Sequence, residues 1–166
     1  MKKFLLAILS IVISFPVFAQ GYIVIGSSAK VYDQPNAKGY ATTNRLDQDV
    51  VLQPGMCFQS EGNNAGWLKI QYSPGIRGYI MDSALDKSAT LPAPGSYKVA
   101  NTDEKADLAL NGANWTLTVG NKKIDGTVSG AVVVFINQFG NPAYIATKSG
   151  GKTYIFNYDN QITNFI

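Results

Sequence analysis

After Gln20, apolar residues recur at spacing two nearly everywhere, and clusters of Gly, Pro, Asn, Asp and Ser interrupt them about every eight to twelve residues. Side chains alternate between the two faces of a strand, so this period specifies half-buried strands and leaves little room for helix. The best helical candidate, "TDEKADLAL" from Thr102 to Leu110, is short, and its end alternates like a strand. The pattern predicts an all-β fold of short strands joined by tight turns.

The first residues follow a different rule. Met1-Lys2-Lys3 is basic, Phe4 to Phe15 is apolar except for Ser10 and Ser14, and small residues stand at Val17 and Ala19. This three-part order reads as a secretory signal peptide over residues 1–19, cut after Ala19 to leave Gln20 at the new N-terminus. The apolar run is roughly a dozen residues, short of the ~20 that a bilayer-spanning helix needs. No cysteine sits at the cut, which argues against a lipid anchor of the bacterial lipoprotein type. The expected location is exported, periplasmic or secreted, with no membrane span after cleavage.

Export changes how composition is read. Without Lys2 and Lys3, twelve basic residues face eleven acidic ones, a net charge of +1. A nearly neutral surface with no basic stripe argues against nucleic acid as a partner. Cys57 is the single cysteine, so no internal disulfide can form and the fold must stand on its apolar core. Its setting, "GMCFQS", is strand-like and predicts a buried thiol. There is no histidine. That removes Ser-His-Asp and Cys-His catalysis and the usual zinc sites. The two glutamates, Glu61 and Glu104, and the nine aspartates fall mostly in turn-like contexts, where Asp bonds its own backbone. The expectation is a non-enzymatic protein with no catalytic residues, no metal and no cofactor.

"DKSATLPAPGS", Asp86 to Ser96, concentrates two prolines, a glycine and small polar residues, and it marks the domain boundary. Proline removes ladder donors and stiffens the backbone, so the stretch reads as a semi-extended linker. The expected division is one domain over residues 20–86, a linker over 87–95 and a second domain over 96–166. In the second domain, strand-like runs from "SYKVA" to "ITNFI" are separated by "GN", "QFGNP", "SGG" and "DNQ". Tight turns between short strands predict an antiparallel meander that curls into a barrel or folds into a sandwich. Ala131 to Ile136 is apolar on both faces and is expected at the centre of the sheet. Tyr154, Phe156 and Tyr158 share one face of another strand. The meander weakly resembles the lipocalin or calycin type, which implies either a packed interior or a cavity for a small apolar ligand.

The first domain opens with "AKVYDQPN" at Ala29 and continues with "LQPGMCFQ" at Leu52, "GWLKIQY" at Gly66 and "GIRGYIMDSAL" at Gly75. These ordered blocks resemble the bacterial SH3-like domain over about residues 22–86. The matching positions are Val31 to Pro35, Gly55, Gly66-Trp67-Leu68-Lys69-Ile70, Gly75 to Ile80, and Leu85. Tyr32 stands where that family often has arginine, and Gly39 to Val51 is longer and more polar than the usual connection. The resemblance implies a small barrel that recognises cell-wall peptide, peptidoglycan or an envelope protein. By alternation, Leu68, Ile70 and Ile80 build its core, while Trp67 and Tyr79 fall outside that set. Tyr32, Trp67, Tyr72 and Tyr79 are candidates for an aromatic binding patch, and Arg77, between two glycines, can meet a carboxylate. The same rings could instead seal the barrel against the second domain. The alternative function is a small apolar ligand carrier built on the C-terminal barrel.

Overall fold

A computed structural model describes residues 21–36, 38–39, 41–43, 47–73 and 75–162. The signal-peptide reading, most of "ITNFI" and part of the Gly39–Val51 stretch lie outside the described residues. Among the described residues every regular element but one is a strand, as the period-two pattern requires. The exception is a single 3-10 turn, Asp82–Ala84. Among the described residues no helix is long and apolar enough to cross a membrane.

The first body contains β1 (Tyr22–Val24), β2 (Ala29–Lys30), β3 (Val51–Leu52), β4 (Cys57–Asn64), β5 (Trp67–Ser73) and β6 (Ile76–Met81). A four-stranded sheet runs in the order β1-β4-β5-β6, and β2 pairs with β3. The chain then crosses from β1 to the free side of β6. There Tyr32 and Tyr79 exchange both backbone hydrogen bonds at 2.8 Å. Gly78 makes this crossing possible. A Cβ on it would lie 2.3 Å from Val31 Cγ1 and 3.1 Å from the Tyr32 carbonyl oxygen. The Gly-Tyr pair is thus a close approach with an aromatic beside it. The Gly66-Trp67 pair is different: Ala65 and Gly66 both hold positive φ, 49° and 85°, in the two-residue turn from β4 to β5.

The second body is one antiparallel meander. Its strands are β7 (Gly95–Lys98), β8 (Lys105–Asn111), β9 (Asn114–Val119), β10 (Lys122–Ser129), β11 (Val132–Ile136), β12 (Pro142–Ser149) and β13 (Lys152–Asn157). They neighbour one another in sequence order. Four of the hairpins have two-residue loops that begin with a positive-φ glycine. The sheet curls until β13 meets β7, and the Ala100 N–H donates to the Ile155 carbonyl at 2.7 Å. The result is a nearly closed, barrel-like sheet. The helical candidate at Thr102 is a turn leading into β8. The Thr102 hydroxyl donates to the Val99 carbonyl and accepts from the Glu104 N–H.

Inside this sheet one contiguous cluster includes Val99, Leu108, Trp115, Leu117, Val133, Phe135, Ala146 and Ile155, all buried. A ligand carrier would have to displace these side chains. The outer faces of β11, β12 and β13 are covered too. Val132, Val134, Ile145 and Phe156 join a second cluster with Val24, Ile25, Leu52, Phe58, Leu68, Ile70 and Ile80 of the first body. This explains why β11 is apolar on both faces. One face fills the barrel and the other meets the neighbouring body.

The two bodies are therefore not free of each other, since they share one apolar cluster. Phe156 and Tyr154 stack in parallel at 6.1 Å, and Tyr158 meets Tyr22 edge to face at 6.1 Å. Burial at this seam pushes the Tyr158 hydroxyl up to about 12. Gly55 packs so close to Tyr154 that a Cβ there would fall 2.5 Å from the ring. The Gln161 amide, itself 1% exposed, pairs with both backbone groups of Cys57. Oε1 accepts from the Cys57 N–H at 2.7 Å, and Nε2 donates to its carbonyl at 2.6 Å. The linker stretch is also held: Thr90 exchanges two 2.9 Å backbone bonds with Lys148, and Pro92 is buried.

Candidate functional site

β5 decides which aromatics can act together. Leu68, Ile70 and Tyr72 alternate into the core, and Trp67, Lys69 and Gln71 occupy the other face. Tyr72 is 5% exposed and belongs to the shared core cluster. It therefore drops out of the aromatic patch proposed from sequence, and its parity with Leu68 and Ile70 is the reason. The other three rings do come together. Tyr32 meets Trp67 edge to face at 5.4 Å, and the backbone bridge puts Tyr32 beside Tyr79. Trp67 is only 9% exposed, but it packs against Tyr32 and lies outside the core cluster that joins the two bodies.

Trp67 and Tyr79 line an open pocket of about 220 Å³ together with Glu61, Asn63, Asn64 and Lys69. The sheet register accounts for this grouping. Lys69 pairs with Tyr79 on one side and with Gly62 on the other, and Trp67 pairs with Asn64. Glu61 arrives by a different device. The β4–β5 ladder shifts register between Ser60 and Gly62, leaving Glu61 as the extra residue of a β-bulge. Its carboxylate takes the Arg77 Nε–H, 2.7 Å from one oxygen and 2.9 Å from the other. Lys69 Nζ stands 3.6 Å from the same group.

Arg77 thus meets a carboxylate of its own chain. Glu61 is the less exposed partner, with 18% of its side chain accessible against 49% for Arg77. Such a half-exposed pair contributes on the order of 1 kcal/mol at most. Its larger effect is to fix where the carboxylate points. Two cations surround one anion here, so Lys69 retains positive charge facing the pocket rim. Sequence reasoning missed Glu61, Asn63, Asn64 and Lys69. Lys69 and the Asn pair follow once the hairpin register is known, whereas nothing in the sequence marks the bulge.

Cys57 is buried, and burial raises its thiol pKa strongly. We expect a thiol reagent to leave the native chain unmodified and to label one cysteine per chain once denaturant unfolds it. Stoichiometric labelling of the native protein at neutral pH would contradict this placement. Among the described residues no three His, Cys, Asp or Glu side chains gather as a metal site. No protein-family model, characterised protein or solved structure matches the chain. Fold and site together define an all-β protein with a nearly closed seven-stranded antiparallel sheet and an aromatic-floored, polar-rimmed pocket on the smaller body.

Proposed function

We propose that the chain is an exported, non-enzymatic binding module that takes a cell-wall peptide, or a comparable extracellular chain, in the Trp67 pocket. The observation that carries this reading is the pocket's composition. Two rings form an apolar floor, two asparagines offer both donors and acceptors, and Lys69 adds a cation at the rim. Aromatic rings with polar neighbours suit sugars and extended peptides, which present an apolar face and a regular series of hydrogen-bonding groups. The resemblance of residues 22–86 to the bacterial SH3-like domain points the same way.

Retention of the purified chain on peptidoglycan sacculi tests the reading. Tyr79→Ala and Lys69→Ala change half-buried positions outside the core and leave the fold in place. Each is expected to lower affinity about 5–30-fold, the range for truncating an anchoring side chain in a small pocket. Loss of retention on adding excess soluble stem peptide would identify the peptide as the recognised part. Failure to bind sacculi at any ionic strength, or variants that bind as well as the parent, would remove the proposal.

A further inference from the structure

A second concavity, of about 400 Å³, opens at the seam and shares no lining residue with the Trp67 pocket. Both bodies build it. Ser27, Ser83 and Asp86 come from the first, and Ser149, Gly150 and Tyr154 from the second. Its volume falls in the range of small-molecule sites. Of the described residues that line it, Asp86 alone carries a charge.

The way Asp86 is held matters most. Oδ1 accepts from the Ser88 N–H at 2.9 Å and from the Ser88 hydroxyl at 2.6 Å. Oδ2 accepts from the Ser149 hydroxyl at 2.5 Å. These donors, and the Gly150 N–H that also bonds the carboxylate, are neutral, so they fix it without cancelling its charge. Among the described residues no lysine or arginine forms an ion pair with it. The hydrogen bonds from Ser149 and Ser88 hold the Asp86 pKa below its ordinary value of 3.8, so the group is ionised at neutral pH. Asp86 stands half-buried in this open concavity, and a carboxylate with no cation paired to it draws cations toward it.

The geometry points to this seam pocket as a binding site for a small, hydroxyl-bearing organic cation. The ammonium group answers the Asp86 charge. The hydroxyls of Ser27 and Ser83 can donate to and accept from ligand hydroxyls. Tyr154, whose ring lies against Gly55 and Phe156, contributes apolar lining. A bare metal ion fits poorly, because it would find a single carboxylate among the lining residues.

Glucosamine and glucose are matched probes, since they differ in one ammonium group. In an amide-resolved NMR titration of the purified chain, glucosamine is expected to give saturable shifts confined to Ser27, Ser83, Asp86, Ser88 and Gly150. Glucose should bind at least about tenfold more weakly, a difference of ~1.4 kcal/mol. Asp86→Asn should erase that difference. Should Asp86→Asn fail to fold, Ser27→Phe serves instead. It places bulk at an exposed lining position, leaves the Asp86 charge in place and should abolish the shifts. Equal response to both sugars, no localised shift at millimolar glucosamine, or glucosamine binding unchanged by Ser27→Phe would overturn the inference. Because the two pockets share no lining residue, these outcomes do not depend on the sacculus experiment.

Discussion

Replacing Gln161 by alanine is expected to lower stability by about 2–4 kcal/mol, because it strands two buried backbone groups at once. The Cys57 N–H and carbonyl lie beyond the last β5 partner of β4, since that ladder begins at Gln59↔Gln71. Where the strand stops, the Gln161 amide takes its place, with one acceptor and one donor at the spacing that a backbone would supply. Each unpaired buried group costs about 1–3 kcal/mol, and the cavity left by the side chain adds to it. In thermal melts the midpoint should fall on the order of 10 °C. Gln161→Glu separates hydrogen bonding from packing. At neutral pH its carboxylate faces the Cys57 carbonyl with no proton to donate, so this variant should be as unstable as the alanine variant. Below the carboxyl pKa it regains a donor and should recover part of the loss, opposite to the usual acid trend. A change under 0.5 kcal/mol for Gln161→Ala, read from denaturant midpoints, would mean that water satisfies Cys57 instead.

Gln161 also marks the limit of what the sequence can tell. The all-β class was legible because alternation depends only on local side-chain parity. The strand runs of the second body were legible because glycine marks the tight hairpins between them. Even the common face of Tyr154, Phe156 and Tyr158 could be read off, and all three pack against the shared core. What covers that face could not be read, because parity says that a face is apolar and nothing about its partner. The same gap explains the apolar run in β11, whose place as an interior strand was legible while its second covering layer was not. In the candidate site, Trp67 and Tyr79 were found by parity, and Tyr72 was misplaced by grouping aromatics without applying it. Glu61 could not have been found, since a bulge inserts a residue and breaks the period on which the reading rests. The Gln161–Cys57 pairing spans 104 residues and leaves no local trace.

The largest effect is expected at Val134, where the two bodies share their core. Val134 is 5% exposed on the outer face of β11 and lies in the cluster with Ile70, Leu52 and Phe58. Val134→Asp puts an unpaired carboxylate into that cluster, at a cost of about 3–5 kcal/mol. Its neighbour across the ladder, Thr127, pairs directly with Val134 but is exposed, so Thr127→Asp should change stability by no more than about 0.5 kcal/mol. Burial of Val132, Val134, Ile145 and Phe156 together is worth roughly 6–12 kcal/mol at about 1.5–3 kcal/mol each. We therefore expect the first body to lose stability when the second no longer covers it. Two tryptophans allow this to be read directly, because Trp67 reports on one body and Trp115 on the other. With Trp115→Phe as background, Val134→Asp should lower the unfolding midpoint seen by Trp67 as much as the midpoint seen by far-ultraviolet circular dichroism. Loss of the second body's signal with the Trp67 transition unmoved would show that the first body folds alone, and the shared core would then be a contact between finished domains.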